Sequence, residues 1–151
     1  MRVVRARPED AAALTAVAFE AKRAWGYPES WIQAWSATLT LAPCSVAEFP
    51  TFSAVEGGEV LGFCMASLAG QEARIEHLWV RPAHWGQGVG RALFRHVEAV
   101  AKAAGAAVLA VESDPHAEGF YVSMGAVRVG SVPAVMEGVE RVLPILEKGI
   151  A

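Results

Sequence analysis

The sequence predicts an α/β domain of the α+β kind: a mixed, mostly antiparallel sheet of about six to seven strands, carrying one parallel pair, with about four helices packed on it. Three observations lead there. Short apolar-rich strand patterns recur, two of them joined by a glycine pair. One strand–helix–strand crossover occupies the middle of the chain, from Ala73 to Val111. The strand that closes it, Ala107 to Val111, is continuously apolar, as expected of a strand buried on both faces. A crossover of this kind joins parallel neighbours, whereas hairpins join antiparallel ones.

Element by element, Arg2 to Ala6 reads as a short strand, and Pro8-Glu9-Asp10 opens a helix with proline and acids in its first turn. Leu14, Val17, Ala18, Ala21 and Trp25 recur at helical spacing and mark its core face, until Gly26 and Pro28 break it. A second helix from about Glu29 stacks Trp31, Trp35 and Leu39 on one side. Thr51 to Glu56 and Glu59 to Leu68 flank Gly57-Gly58 as a hairpin. Ala73 to Val80 follows as a strand, and Pro82 to Gly90 as a glycine-rich connection. The next helix runs to about Ala104, with Leu93, Val97, Val100 and Ala104 on one side and Gly105 as its cap. After the buried strand come a short helix, His116 to Met124, ended by Gly125, and two more strands near Ala126 to Val129 and Val139 to Leu146.

The chain has 151 residues, 54% hydrophobic and 19% charged. That length suits one domain over residues 1–151 with a sizeable core, and the composition argues against disorder. A membrane-spanning helix needs about 18 consecutive apolar residues. The longest apolar run, Ala106 to Val111, has six. Arg2, Arg5 and Arg7 ahead of Ala11 to Phe19 superficially imitate a signal peptide, but Glu9 and Asp10 interrupt the join and no small-residue cleavage pattern follows. Cys44 and Cys64 make neither a disulfide framework nor a metal set, so the expected compartment is cytoplasmic and no metal is expected. A net charge of −3, with the basic residues scattered, speaks against nucleic acid and against anionic membrane surfaces as partners.

The strongest local signal is the stretch Val80-Arg81-Pro82-Ala83-His84-Trp85-Gly86-Gln87-Gly88-Val89-Gly90-Arg91. Alternate glycines between a strand and a helix let successive backbone N–H groups converge on an anion, where the helix dipole adds positive potential. A Walker loop would need Gly-Lys followed by Ser or Thr, which is missing. The dinucleotide pattern G-x-G-x-x-G fails as well, because Arg91 and Leu93 stand where its third glycine belongs. Glu112 does lie about 20 residues on, where a ribose-binding acid is wanted. Yet the chain after the loop is too short for the rest of that fold.

On these residues the chain resembles the GNAT superfamily of acyl-CoA-dependent N-acyltransferases. Members show a strand ending in Leu-x-Val, a proline, a phosphate loop of the form (Arg/Gln)-x-x-Gly-x-(Gly/Ala), and a helix. Leu78-Trp79-Val80, Pro82 and Trp85-Gly86-Gln87-Gly88-Val89-Gly90 take those places. A second block, usually Asn-x-x-Ala followed by Phe-Tyr-x-x-x-Gly-Phe, reads here from Asp114 to Ala126 and includes Phe120-Tyr121 and Gly125. Three positions depart from the pattern: Trp85 stands for Arg or Gln, Asp114 for Asn, and Ala126 for Phe. Trp25-Gly26-Tyr27 and Ser113-Asp114-Pro115 together look like a bacterial subgroup.

The resemblance implies direct acetyl transfer from acetyl-CoA, as co-substrate, to an amine of a small molecule or peptide. It places Leu78, Val80, Trp85, Gly86, Gln87, Gly88, Val89, Gly90, Arg91 and Asp114 at the CoA site, and Tyr121 at the general acid. A homodimer is also among the states it implies, since many relatives self-associate. An alkylamine with a pKa near 10.4 is almost wholly protonated at neutral pH, so a base is needed. Glu76 and His77 on the strand before the loop, and Glu112 at the end of the next strand, are the candidates, with bulk water as the alternative. Strand alternation puts Glu76 with Leu78 and Val80, and His77 with Ile75 and Trp79. Trp25 and Tyr27 border the acceptor site in the family, where they are expected to wall a cationic or apolar amine; Trp31 and Trp35 read as core. Two other readings stand beside this one: a non-catalytic acyl-CoA-binding module and, more remotely, a nicotinamide-dependent oxidoreductase.

Overall fold

The computed structural model describes residues 1–151. Seven strands, β1 (Arg2–Arg5), β2 (Thr51–Glu56), β3 (Glu59–Ala69), β4 (Glu72–Val80), β5 (Val108–Glu112), β6 (Val127–Met136) and β7 (Val139–Gly149), form one sheet in the order β1-β2-β3-β4-β5-β7-β6. The expected parallel pair is β4 with β5, registered from Glu72 opposite Val108 to Ile75 opposite Val111. The neighbours β1–β2, β2–β3, β5–β7 and β6–β7 are antiparallel.

Six helices accompany the sheet: α1 (Ala11–Ala24), α2 (Glu29–Ala34), α3 (Ser36–Leu39), α4 (Pro43–Glu48), α5 (Val89–Ala103) and α6 (Glu118–Ser123). Six replace the four expected. The expected helix after Glu29 breaks at Trp35 into α2 and α3, and α4 was not foreseen. It starts with Pro43 in its first turn, whose fixed φ suits that place, but it is too short to show a helical period. Strands β6 and β7 are also longer than the sequence suggested: most of β6 is exposed and carries no one-sided apolar alternation, and β7 continues past Leu146 through the polar Glu147 and Lys148.

The chain falls into two compact units. The first comprises residues 1–66 and 76–97. Its core joins Leu14, Val17 and Ala18 of α1 to Leu39, Val46, Phe63 and Met65, with Trp35 and Trp79 packed against it. The Gly57-Gly58 turn takes left-handed φ at both residues, as a tight hairpin requires. A side chain at Gly62 of β3 would place its Cβ 2.7 Å from the Trp79 carbonyl oxygen and 3.2 Å from Val80 Cα. Only glycine lets the end of β4 lie so close.

The second unit comprises residues 67–75 and 98–151. Leu109, Ala110 and Val111 of β5, Leu146 of β7, and Tyr121 and Met124 are buried there. Gly125, at φ 98°, closes α6. No helix is long and apolar enough to cross a membrane.

Candidate functional site

The glycine-rich connection lies wholly in the first unit. A short helical turn, Pro82–His84, leads from β4 into it, and α5 leaves it. Gly86 and Gly88 adopt left-handed φ of 74° and 84°. Side chains rarely take this conformation, and glycines on either side of Gln87 are what a turn that gathers backbone N–H groups around an anion requires. No atom lies within 4 Å of where a Cβ on either glycine would be, so the space beside the turn is open. The Gly88 carbonyl accepts the N–H of Ala92 at 3.0 Å and so starts the helix, whose first turn carries no acid to repel an anion. Gly90 falls inside α5, Val89 is buried, and Arg91 is exposed within the first turn.

Several side chains hold this loop. Arg81 donates from Nε to the Val60 carbonyl at 2.7 Å and pairs with Glu20, while its backbone N–H reaches the Leu61 carbonyl at 2.8 Å. Gln87 turns back into the loop, its Oε1 3.1 Å from His84 Nδ1. Trp85, 42% exposed, donates its indole N–H to the Val80 carbonyl at 2.8 Å. Where the family pattern has Arg or Gln, this indole instead ties the loop to the end of β4.

Beside the loop stands an aromatic cluster. Trp25 lies 5.7 Å from Trp79 and 6.4 Å from Trp85, centroid to centroid. Tyr27 stacks on Trp31 at 5.7 Å and meets Trp35 edge-on at 5.0 Å. Trp31 and Trp35, expected to be core, belong to this cluster too; Trp35 also packs on the apolar core. At its centre is Lys22 of α1, which sequence reasoning passed over although it sits one helical turn before Trp25. Its ammonium lies 4.1 Å from the ring centroid of Trp35 and 5.1 Å from that of Tyr27.

On β4, Glu76 is exposed, while His77, Leu78, Trp79 and Val80 are half-buried. The expected face-sharing of His77 and Trp79 is seen directly: Trp79 Nε1 donates to His77 Nδ1 at 3.1 Å. Burial lowers the His77 pKa, opposed by the Glu76 charge, so the imidazole is neutral with its proton on Nε2. A histidine in that state presents an N–H, and its one lone pair is already engaged.

The second unit holds the other candidates. Tyr121 on α6 is 5% exposed, its ring edge-on to Phe120 at 5.2 Å. Asp114 Oδ1 accepts the His116 backbone N–H at 2.8 Å and lies 2.9 Å from His116 Nδ1. Its Oδ2 faces Arg141 Nη2 at 3.6 Å. Asp114 thus caps the turn Pro115–Ala117. Arg141, its partner from β7, left no signal in the sequence because pairing over such a separation has no period. Glu112 is exposed at the end of β5.

A family model described as "Acetyltransferase (GNAT) family" matches residues 13–126. Among solved structures, the chain is similar to a protein of Rhodopseudomonas palustris described as a GCN5-related N-acetyltransferase and also as an aminotransferase, class-II. The two share 25% identity over 98% of this chain and 94% of that one, with a TM-score of 0.82. The protein yncA of Salmonella typhimurium, described with its cofactor acetyl-CoA, shares 18% identity over 100% of this chain and 94% of that one, with a TM-score of 0.73. A ribosomal-protein-alanine N-acetyltransferase of Brucella melitensis shares 19% over 99% of each chain, with a TM-score of 0.70. No curated protein sequence matches this one.

Proposed function

The chain belongs to the acetyltransferase (GNAT) family, and on that premise we propose that it transfers the acetyl group of acetyl-CoA directly to an amine of a small molecule or peptide. The observation that carries this reading is the open turn at Gly86 and Gly88 ahead of an acid-free helix start, which suits a diphosphate. The amide N–H groups of that turn and of the start of α5 bind the CoA diphosphate, with Arg91 near by. Leu78 and Val80 line the pantetheine arm.

Glu76 takes a proton from the acceptor ammonium, and its exposure supports this choice over His77, whose lone pair is engaged. The freed nitrogen attacks the thioester carbonyl carbon, the carbon–sulfur bond breaks and Tyr121 protonates the departing thiolate; as the amide bond forms, the nitrogen loses its second proton to water, and the tyrosinate recovers one from water. Trp25 and Tyr27 wall the apolar part of the acceptor.

Acetyl-CoA titration by calorimetry, followed by thiol release across an amine panel, tests this. We expect binding together with release for at least one amine. A non-catalytic acyl-CoA-binding module remains as second reading, favoured by the diversion of Trp85 from the loop to Val80. Binding without release for any amine would establish it, and absence of binding would overturn both.

A further inference from the structure

Lys22 is 9% exposed, a rare depth for an ammonium. Its Nζ lies 4.1 Å from the Trp35 centroid, 5.1 Å from Tyr27, 5.7 Å from Trp25 and 5.8 Å from Trp79. These distances fall within the roughly 6 Å over which a cation is drawn to a ring face. The rings come from four places along the first unit: the end of α1, the turn after it, the α2–α3 break and β4. Such an arrangement is a box for a cation, and the protein supplies the cation itself. The box adjoins the glycine loop, because Trp25 also lies 6.4 Å from Trp85.

We infer that Lys22 is a specificity-determining residue: by filling this box with its own ammonium it excludes acceptors that carry a second positive charge. The inference rests on the proposed placing of the acceptor against Trp25 and Tyr27. A diamine brought there would find the ring faces taken and would be repelled by the resident charge. An acceptor whose remainder is alkyl or aryl meets apolar ring surface and no such repulsion. This narrows the expectation of a wall for a cationic or apolar amine to the apolar kind.

The test has two arms. In the first, tetramethylammonium is titrated by calorimetry into the wild type and Lys22→Ala, with Lys22→Ser as a second variant should the first be unfolded by circular dichroism. Binding by the emptied box and none by the wild type is expected; a folded variant that takes up no cation would overturn the inference. In the second arm, kcat/KM is compared for a monoamine and a diamine of equal chain length. The wild type should favour the monoamine by about 10-fold or more, from like-charge repulsion. Lys22→Met, which keeps the apolar stem, should remove that preference, and Lys22→Arg should preserve it. Equal use of both amines by the wild type, or an unchanged ratio in Lys22→Met, would also overturn it. Should no amine release thiol, the acetyl-transfer reading fails while the first arm still decides the box.

Discussion

His77 shows how one side chain couples chemistry to stability. Its folded pKa lies below the ordinary 6.5 because burial disfavours the imidazolium. The unfolded chain therefore binds the proton more readily, and stability is lost as pH falls below 6.5 toward the folded value. Urea midpoints measured on either side of that pH should show the decline, and His77→Gln should flatten it. Tyr121 makes a different claim. As general acid it should contribute about 10²-fold to turnover. Tyr121→Phe should thus lower kcat by about that factor and leave the acetyl-CoA Kd nearly unchanged; an unchanged kcat would remove Tyr121 from the reaction. At this scale the sequence was readable where strand alternation decides, as with the shared face of His77 and Trp79. It was silent where a role depends on distant partners. Asp114 has the residue type of a ligand, yet its carboxylate is committed to His116 and Arg141.

Among the elements, the connection from β4 to α5 is the most constrained. Gly88 at φ 84° sits where a side chain costs about 1–2 kcal/mol. Because its surroundings are open, Gly88→Ala should leave the fold intact but reshape the turn, weakening acetyl-CoA by about 10-fold in a calorimetric titration. Gly62 answers to packing instead: with backbone 2.7 Å from any Cβ, Gly62→Ala should cost about 2 kcal/mol. Its Tm should fall by about 4–8 °C. The β2–β3 hairpin and α5 were legible because Gly57-Gly58 and the spacing of Leu93 and Val97 are local signals. The break at Trp35 was not, since Trp31, Trp35 and Leu39 keep a helical period straight through it. Strand β6 also resisted reading: its mostly exposed residues and Pro133, which an outermost strand accommodates, hide the alternation that betrays a buried face.

For the whole molecule, the parallel pair β4–β5 follows from one crossover and was legible for that reason, whereas the place of β7 between β5 and β6 rests on long-range pairing that leaves no local signal. Ligand binding should register globally as well. Acetyl-CoA at about 100 times its Kd adds about 2.7 kcal/mol to stability. For a chain of this size that raises Tm by about 5–10 °C, measurable by differential scanning calorimetry, whereas a nicotinamide cofactor should leave Tm unmoved. A matching rise with NADH would revive the oxidoreductase reading. The distribution of indoles has a separate, optical consequence. All five tryptophans of the chain lie in the first compact unit, gathered around Lys22 and the glycine loop, and the second unit has none. Tryptophan emission, excited selectively over tyrosine, is therefore a local gauge of the ring cluster, blind to β5, β6, β7 and α6, whereas far-ultraviolet circular dichroism averages over every strand and helix. Melting curves recorded by the two signals coincide only if both units lose structure together.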